Sequence, residues 1–155
     1  GRYTVASGSC GLIKACLDSS VKYCHERKTF ETPIGDHQLV KQMIAQMERG
    51  YESSRYLWMK AGVLKNEGKR NTRETAMAKW VACDEAERAA YNAVQIHGSY
   101  GYSDEYPVER FFRNSKGAAI YEGTREIQTL LQADYALGNR IDKDIGFSLP
   151  AVSQE

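Results

Sequence analysis

The feature that most constrains this chain is a helical recurrence of apolar and small residues that runs, with clear interruptions, through most of its length. From position 2 to about 27, Val5, Ala6, Leu12, Ile13, Cys16, Leu17, Val21 and Cys24 return at helical rather than strand spacing. One long helix is expected there. Gly8 and Gly11 each cost it about 1 kcal/mol relative to alanine, so a close neighbour is expected at that face. Pro33 and Gly35 break the pattern over 28–36, in a link short enough to join antiparallel neighbours. A second helix follows over about 37–65, its stripe carried by Leu39, Met43, Ile44, Met47, Tyr51, Tyr56, Leu57, Met59 and Val63, with Gly68 as its stop. Asn71 or Thr72 suits the cap of a third helix that reaches about His97, and its run of alanines argues for tight packing.

Beyond Gly98 the spacing predicts a turn, then a short extra helix near 107–115 that Pro107 could begin, then a loop over 117–123. Thr124 can cap a last helix that reaches about Leu137, with Gly138 just past its end. Nothing alternates with the period of a strand. The expected fold is all-α: an antiparallel four-helix bundle, up-down-up-down, over 1–138, followed by a tail over 139–155 with little apolar periodicity.

Charge and cysteine content narrow the function classes. Lysine and arginine number 21 against 20 aspartates and glutamates, so a nucleic acid or an anionic membrane is not an expected partner. No apolar run approaches the roughly 20 residues that span a bilayer, and no secretory layout opens the chain. A soluble protein of the cytoplasm or an organelle matrix is expected. Cys10, Cys16, Cys24 and Cys83 form no Cys-x-x-Cys pair and read as reduced thiols, and His25, His37 and His97 lack metal-ligand spacing. No metal is expected.

The sharpest chemical candidate is Glu122, which stands between Tyr121 and Gly123, outside helical periodicity and two residues before a helix start. A helix start favours a carboxylate and an apolar channel disfavours it, which is the balance a general base requires. Gly123 permits close approach of a ligand.

Two runs carry a resemblance: Gln95-Ile96-His97-Gly98-Ser99-Tyr100-Gly101-Tyr102, and Ile120-Tyr121-Glu122-Gly123-Thr124-Arg125-Glu126 after Tyr106-Pro107-Val108-Glu109-Arg110. With Tyr23-Cys24-His25-Glu26-Arg27-Lys28-Thr29-Phe30, they resemble the C-terminal helical domain of the acyl-CoA dehydrogenases. The resemblance implies that Glu122 removes the α-proton of an acyl thioester while FAD takes the β-hydride. It implies FAD contacts from Arg27, Phe30, Ile34, Gln38, Gln95, Gly98 and Ser99, toward a cofactor held largely by a neighbouring subunit, and from Thr124 and Glu126 at the flavin end. Tyr121, Gly123 and Arg2 would border the substrate, with Arg2 able to pair with Glu122.

The implied partners are acyl-CoA or another acyl thioester, an electron-transferring flavoprotein, the N-terminal and middle domains of the same enzyme, and further copies in a homo-oligomer. Such a domain is expected to be inactive alone. The alternatives are a non-enzymatic helical assembly module and one subunit of a split, heteromeric dehydrogenase. Some branches of this family place the catalytic carboxylate on the first helix near position 1 or 2, where this chain has Gly1 and Arg2, which favours Glu122. Two departures stand beside the inferred cofactor segments: Glu31 and Ser99 occupy positions where the family usually has glycine.

Overall fold

A computed structural model describes residues 1–142. The order is α1 (Arg2–Glu26), β1 (Lys28–Thr29), β2 (Thr32–Pro33), a 3-10 turn (Ile34–Asp36), α2 (Gln38–Asn66), α3 (Thr72–His97), α4 (Ser99–Tyr102), α5 (Val108–Ile120) and α6 (Arg125–Ala136). The all-α expectation is borne out, and the three long helices start and stop close to where their periodicity does.

Packing fixes their directions. Near the start of α1, Tyr3 stacks on Trp58 of α2, and further along the Cys10 thiol reaches the Tyr51 carbonyl, so α1 and α2 are antiparallel. α3 runs back beside α2, with Asn92 donating to Gln46 at 3.1 Å. Its buried alanines at 76, 78, 82, 86, 89, 90 and 93 let it serve as the central helix, touched by α1, α2, α5 and α6. The main core joins Ile13, Cys16 and Leu17 of α1 to Met47 of α2 and Ala86, Ala90 and Ile96 of α3. Each large side chain buried there contributes about 1.5–3 kcal/mol.

α5 and α6 follow one another along α3, antiparallel to it. The Cys83 thiol donates to the Ala118 carbonyl on α5, and farther on Gln132 of α6 donates to the Arg73 carbonyl at 2.8 Å. These two helices are halves of one interrupted return path, broken at residues 121–124. Arg125 fastens the second half to α3 through Asp84 at 2.5 Å and Glu87 at 2.8 Å.

Several expectations need correction. Residues 28–33 contain a two-stranded antiparallel ladder, Lys28 opposite Pro33 and Thr29 opposite Thr32, too short to show a period of two. The turn at its tip holds Phe30 and Glu31 at positive φ, 50° and 64°, and leaves Phe30 93% exposed. The helix expected near 107–115 spans Val108–Ile120, with Pro107 as its cap; Gly117 does not end it, because Ala118 and Ala119 pack against Cys83 and Val5. Residues 99–102 add a single helical turn. No atom lies within 4 Å of where a side chain would grow from Gly8 or Gly11, so that face of α1 has no close neighbour within the described residues. On α2 the buried face is Met47, Gly50, Ser54 and Ala61, while Leu39, Tyr56, Met59 and Val63 are exposed.

All four cysteines are buried and unpaired, and no group that could hold a metal occurs among the described residues. No described helix is long and apolar enough to cross a membrane. Of the expected tail, residues 139–142 fold back on α6, with Asp142 accepting from Tyr135 at 2.6 Å and pairing with Arg70 at 3.1 Å; the remainder lies outside the described residues.

Candidate active site and cofactor surface

Glu122 sits in the break between α5 and α6 with φ of +58°, in the left-handed region that non-glycine residues seldom occupy. Gly123 follows at φ +92°. The loop is closed at both ends by backbone bonds, Tyr121 to the Gly117 carbonyl at 3.2 Å and Gln128 to the Thr124 carbonyl at 3.1 Å. From below, the Gly123 carbonyl accepts from Lys79 Nζ at 2.8 Å and from Gln128 Nε2 at 2.9 Å.

The Glu122 carboxylate crosses to the start of α1. A methyl group built on Gly1 would lie 1.8 Å from Glu122 Oε2, so the carboxylate occupies the space a side chain at position 1 would need. Arg2 makes no ion pair with Glu122. Tyr121 lines a cleft of about 430 Å³ between α1 and α5, together with Thr4, Gly8, Leu12 and Asn114. A larger groove of about 1140 Å³, lined by Tyr91, Tyr102, Phe112 and Arg125 among others, does not include Glu122.

Thr124 caps α6 by position without a hydroxyl bond to its backbone. Glu126's own backbone N–H, with the Thr124 hydroxyl, holds the Glu126 carboxyl below its ordinary value. The two residues act together at this helix start.

The other expected cofactor residues gather at the opposite end of the bundle. Arg27 ends α1, Phe30 tips the hairpin, Gln38 opens α2, and Gln95, Gly98 and Ser99 close α3, beside α1 through His97 and Tyr23. Arg27, Gln38 and Gln95 are exposed and make no side-chain hydrogen bond or ion pair among the described residues. Gly98 has φ +59° and ψ −133°, with nothing within 4 Å of where a side chain would sit. This donor set fits a dinucleotide: a forked cation, two amides and an open glycine suited to close backbone approach. Ile34 is buried in the core. Neither departure removes the local conformation, since Glu31 adopts positive φ and Ser99 lies in α4, where no glycine is needed.

Two contributors to the site escaped the sequence reading. Lys79 and Gln128 are both buried, and each holds the Gly123 carbonyl. A signal for Lys79 was present: its helical neighbours Ala76, Ala82, Cys83 and Ala86 are all small and buried, a setting foreign to a solvated lysine. Burial pushes its ammonium below the ordinary lysine value and pushes the Cys83 thiol up.

Comparison with known proteins agrees with this geometry. Residues 1–137 match the family model for the acyl-CoA dehydrogenase C-terminal domain. A glutaryl-CoA dehydrogenase of Desulfococcus multivorans is 44% identical over 140 residues, 90% of this chain and 36% of that protein. The mitochondrial short-chain specific acyl-CoA dehydrogenase of Mus musculus is 40% identical over 88% of this chain and 33% of its own length. The solved butyryl-CoA dehydrogenase of Megasphaera elsdenii superposes with a TM-score of 0.86 at 42% identity, covering 88% of this chain and 36% of that one. The chain thus spans about a third of the relatives it matches. With a matching signature on a matching fold, it belongs to the acyl-CoA dehydrogenase family and comprises that family's C-terminal domain.

Proposed function

We propose that this chain supplies the base of an α,β-dehydrogenation of acyl thioesters, with Glu122 as the group that takes the α-proton. The observation that carries the reading is the position of Glu122: left-handed, held from below, and with its exposed carboxylate laid against the start of α1. A base held at one place contributes by proximity to the proton it abstracts. Tyr121 and Gly123 border the reacting carbon, and Arg2 stands beside them at the head of α1. FAD, when bound, accepts the hydride from the β-carbon. Thr124 and Glu126 would hold its flavin end, and Arg27, Phe30, Gln38, Gln95, Gly98 and Ser99 a dinucleotide portion, with Ile34 beneath them.

One flavin does not serve both sets. α1 has 25 residues and is about 38 Å long, and Glu122 stands at one end while Arg27 and Gly98 stand at the other. The distance exceeds the reach of one extended dinucleotide. Each chain therefore offers its base to one cofactor and its Arg27 surface to the cofactor of another copy, which requires a homo-oligomer. The exposed face of Tyr56, Met59 and Val63 on α2 suits that interface. Electrons leave to an electron-transferring flavoprotein, and the remaining domains hold most of the thioester. Four unpaired buried thiols favour a reducing intracellular compartment.

The test is Glu122→Gln in the FAD-loaded enzyme that contains this chain. Turnover is expected to fall about 1000-fold with thioester binding retained. Full activity in that variant would remove Glu122 from the chemistry. Failure of the wild-type chain to recruit flavin in any assembled form would favour the assembly-module reading, which the exposed α2 face also suits.

A further inference from the structure

The loop that carries Glu122 interrupts a helical path, and its main support is a charged residue inside the core. Lys79 is 1% exposed and projects from the alanine face of α3. A buried ammonium is unfavourable unless its hydrogens are satisfied. Here two backbone carbonyls satisfy it, Gly123 at 2.8 Å and Ala119 at 3.4 Å, and no carboxylate pairs with it among the described residues. The two carbonyls bracket Tyr121 and Glu122. Ala119 lies in the last turn of α5, where carbonyls have no partner within their own helix. A non-glycine residue in the left-handed region persists only where its surroundings over-determine it.

We propose that Lys79 is a positioning residue for Glu122: by drawing the carbonyls before and after it onto one buried ammonium, it fixes the left-handed backbone that aims the carboxylate at the start of α1. The catalytic half of this proposal rests on Glu122 being the base; the structural half does not. Gln128 supports the same carbonyl of Gly123 but reaches neither Ala119 nor the far side of the loop. Without Lys79 the Gly123 carbonyl keeps one side-chain donor and the Ala119 carbonyl has none among the described residues.

The experiment is Lys79→Met, read in two ways. In the full 155-residue chain, amide hydrogen exchange is followed by NMR at Tyr121 and Gln128, whose N–H groups close the loop. Exchange there is expected to quicken at least tenfold relative to the core amides of α1 and α2. In the FAD-loaded enzyme, kcat is expected to fall at least tenfold with KM held within twofold. Should the methionine variant not fold, Lys79→Gln, whose shorter neutral amide cannot hold both carbonyls, carries the same two measurements. Exchange unchanged relative to the core, or quickened uniformly through α1 and α2, with kcat intact, would overturn the proposal. Full activity in Glu122→Gln would sink the base assignment alone and leave the loop measurement to judge the anchor.

Discussion

The rings of Tyr23 on α1 and His97 on α3 stack with centroids 4.2 Å apart and planes 21° from parallel. Tyr106 meets both rings edge-on, at 5.4 Å and 5.2 Å, so three elements lock together immediately below the Arg27 and Gly98 surface. His97 Nδ1 lies 2.8 Å from the Ala93 carbonyl oxygen, a contact that requires the proton on that nitrogen.

This stack makes stability depend on pH. Burial holds the His97 imidazole below its ordinary value of 6.5, against the opposing effect of the Ala93 carbonyl. The folded protein therefore takes up this proton less readily than the unfolded chain. Stability from this site is complete above about pH 6.5 and is lost as pH falls from there toward the lower folded-state value. The thermal midpoint of wild type is expected to drop between pH 7 and pH 5. His97→Phe, which keeps a ring in the stack, is expected to flatten that slope, and an unchanged slope would assign it to other groups.

Gly98→Ala tests the cofactor surface from the backbone alone. At φ +59° and ψ −133° an alanine is strained, and open space around the position means no side-chain clash adds to the cost. Urea unfolding should show a loss of about 1–3 kcal/mol. The assembled enzyme should also lose flavin on gel filtration, read as the ratio of flavin to protein absorbance across the peak.

Gly1→Ala separates position from stability. The new methyl group would collide with the Glu122 carboxylate, the free end of a flexible side chain, so the carboxylate moves and the fold does not. The unfolding free energy from urea titration is expected to change by under about 0.5 kcal/mol. Turnover is expected to fall roughly 100-fold, the scale of an ångström-sized misplacement. A large stability loss with normal turnover per folded enzyme would contradict this reading of the contact.

The sequence showed the long helices because periodicity and punctuation agreed: Pro33 and Gly35 after α1, Gly68 after α2, Gly98 after α3. It misjudged α5 because Gly117 resembles a stop, whereas Ala118 and Ala119 have partners across the bundle that extend the helix past it. The hairpin at Lys28–Thr29 and Thr32–Pro33 is too short for any period to appear. On α2, Tyr56, Met59 and Val63 form a second apolar face outside the intrachain core, and a hydrophobic pattern does not say which of two faces the chain itself covers. Glu122 was legible through its neighbours along the chain. Lys79 stood out only as a lysine among small apolar neighbours, and its role was not legible, because its acceptors lie 40 and 44 positions away.

The break between α5 and α6 also ties two distant positions into one inheritance. A continuous helix through 119–123 would satisfy those carbonyls with its own ladder, and a lysine at 79 would then have no acceptors and every reason to be replaced by an apolar residue. A descendant that heals the break loses its need for the cation; one that drops the cation loses its hold on the break. Chains of this kind that retain one feature without the other are expected to have left the chemistry behind.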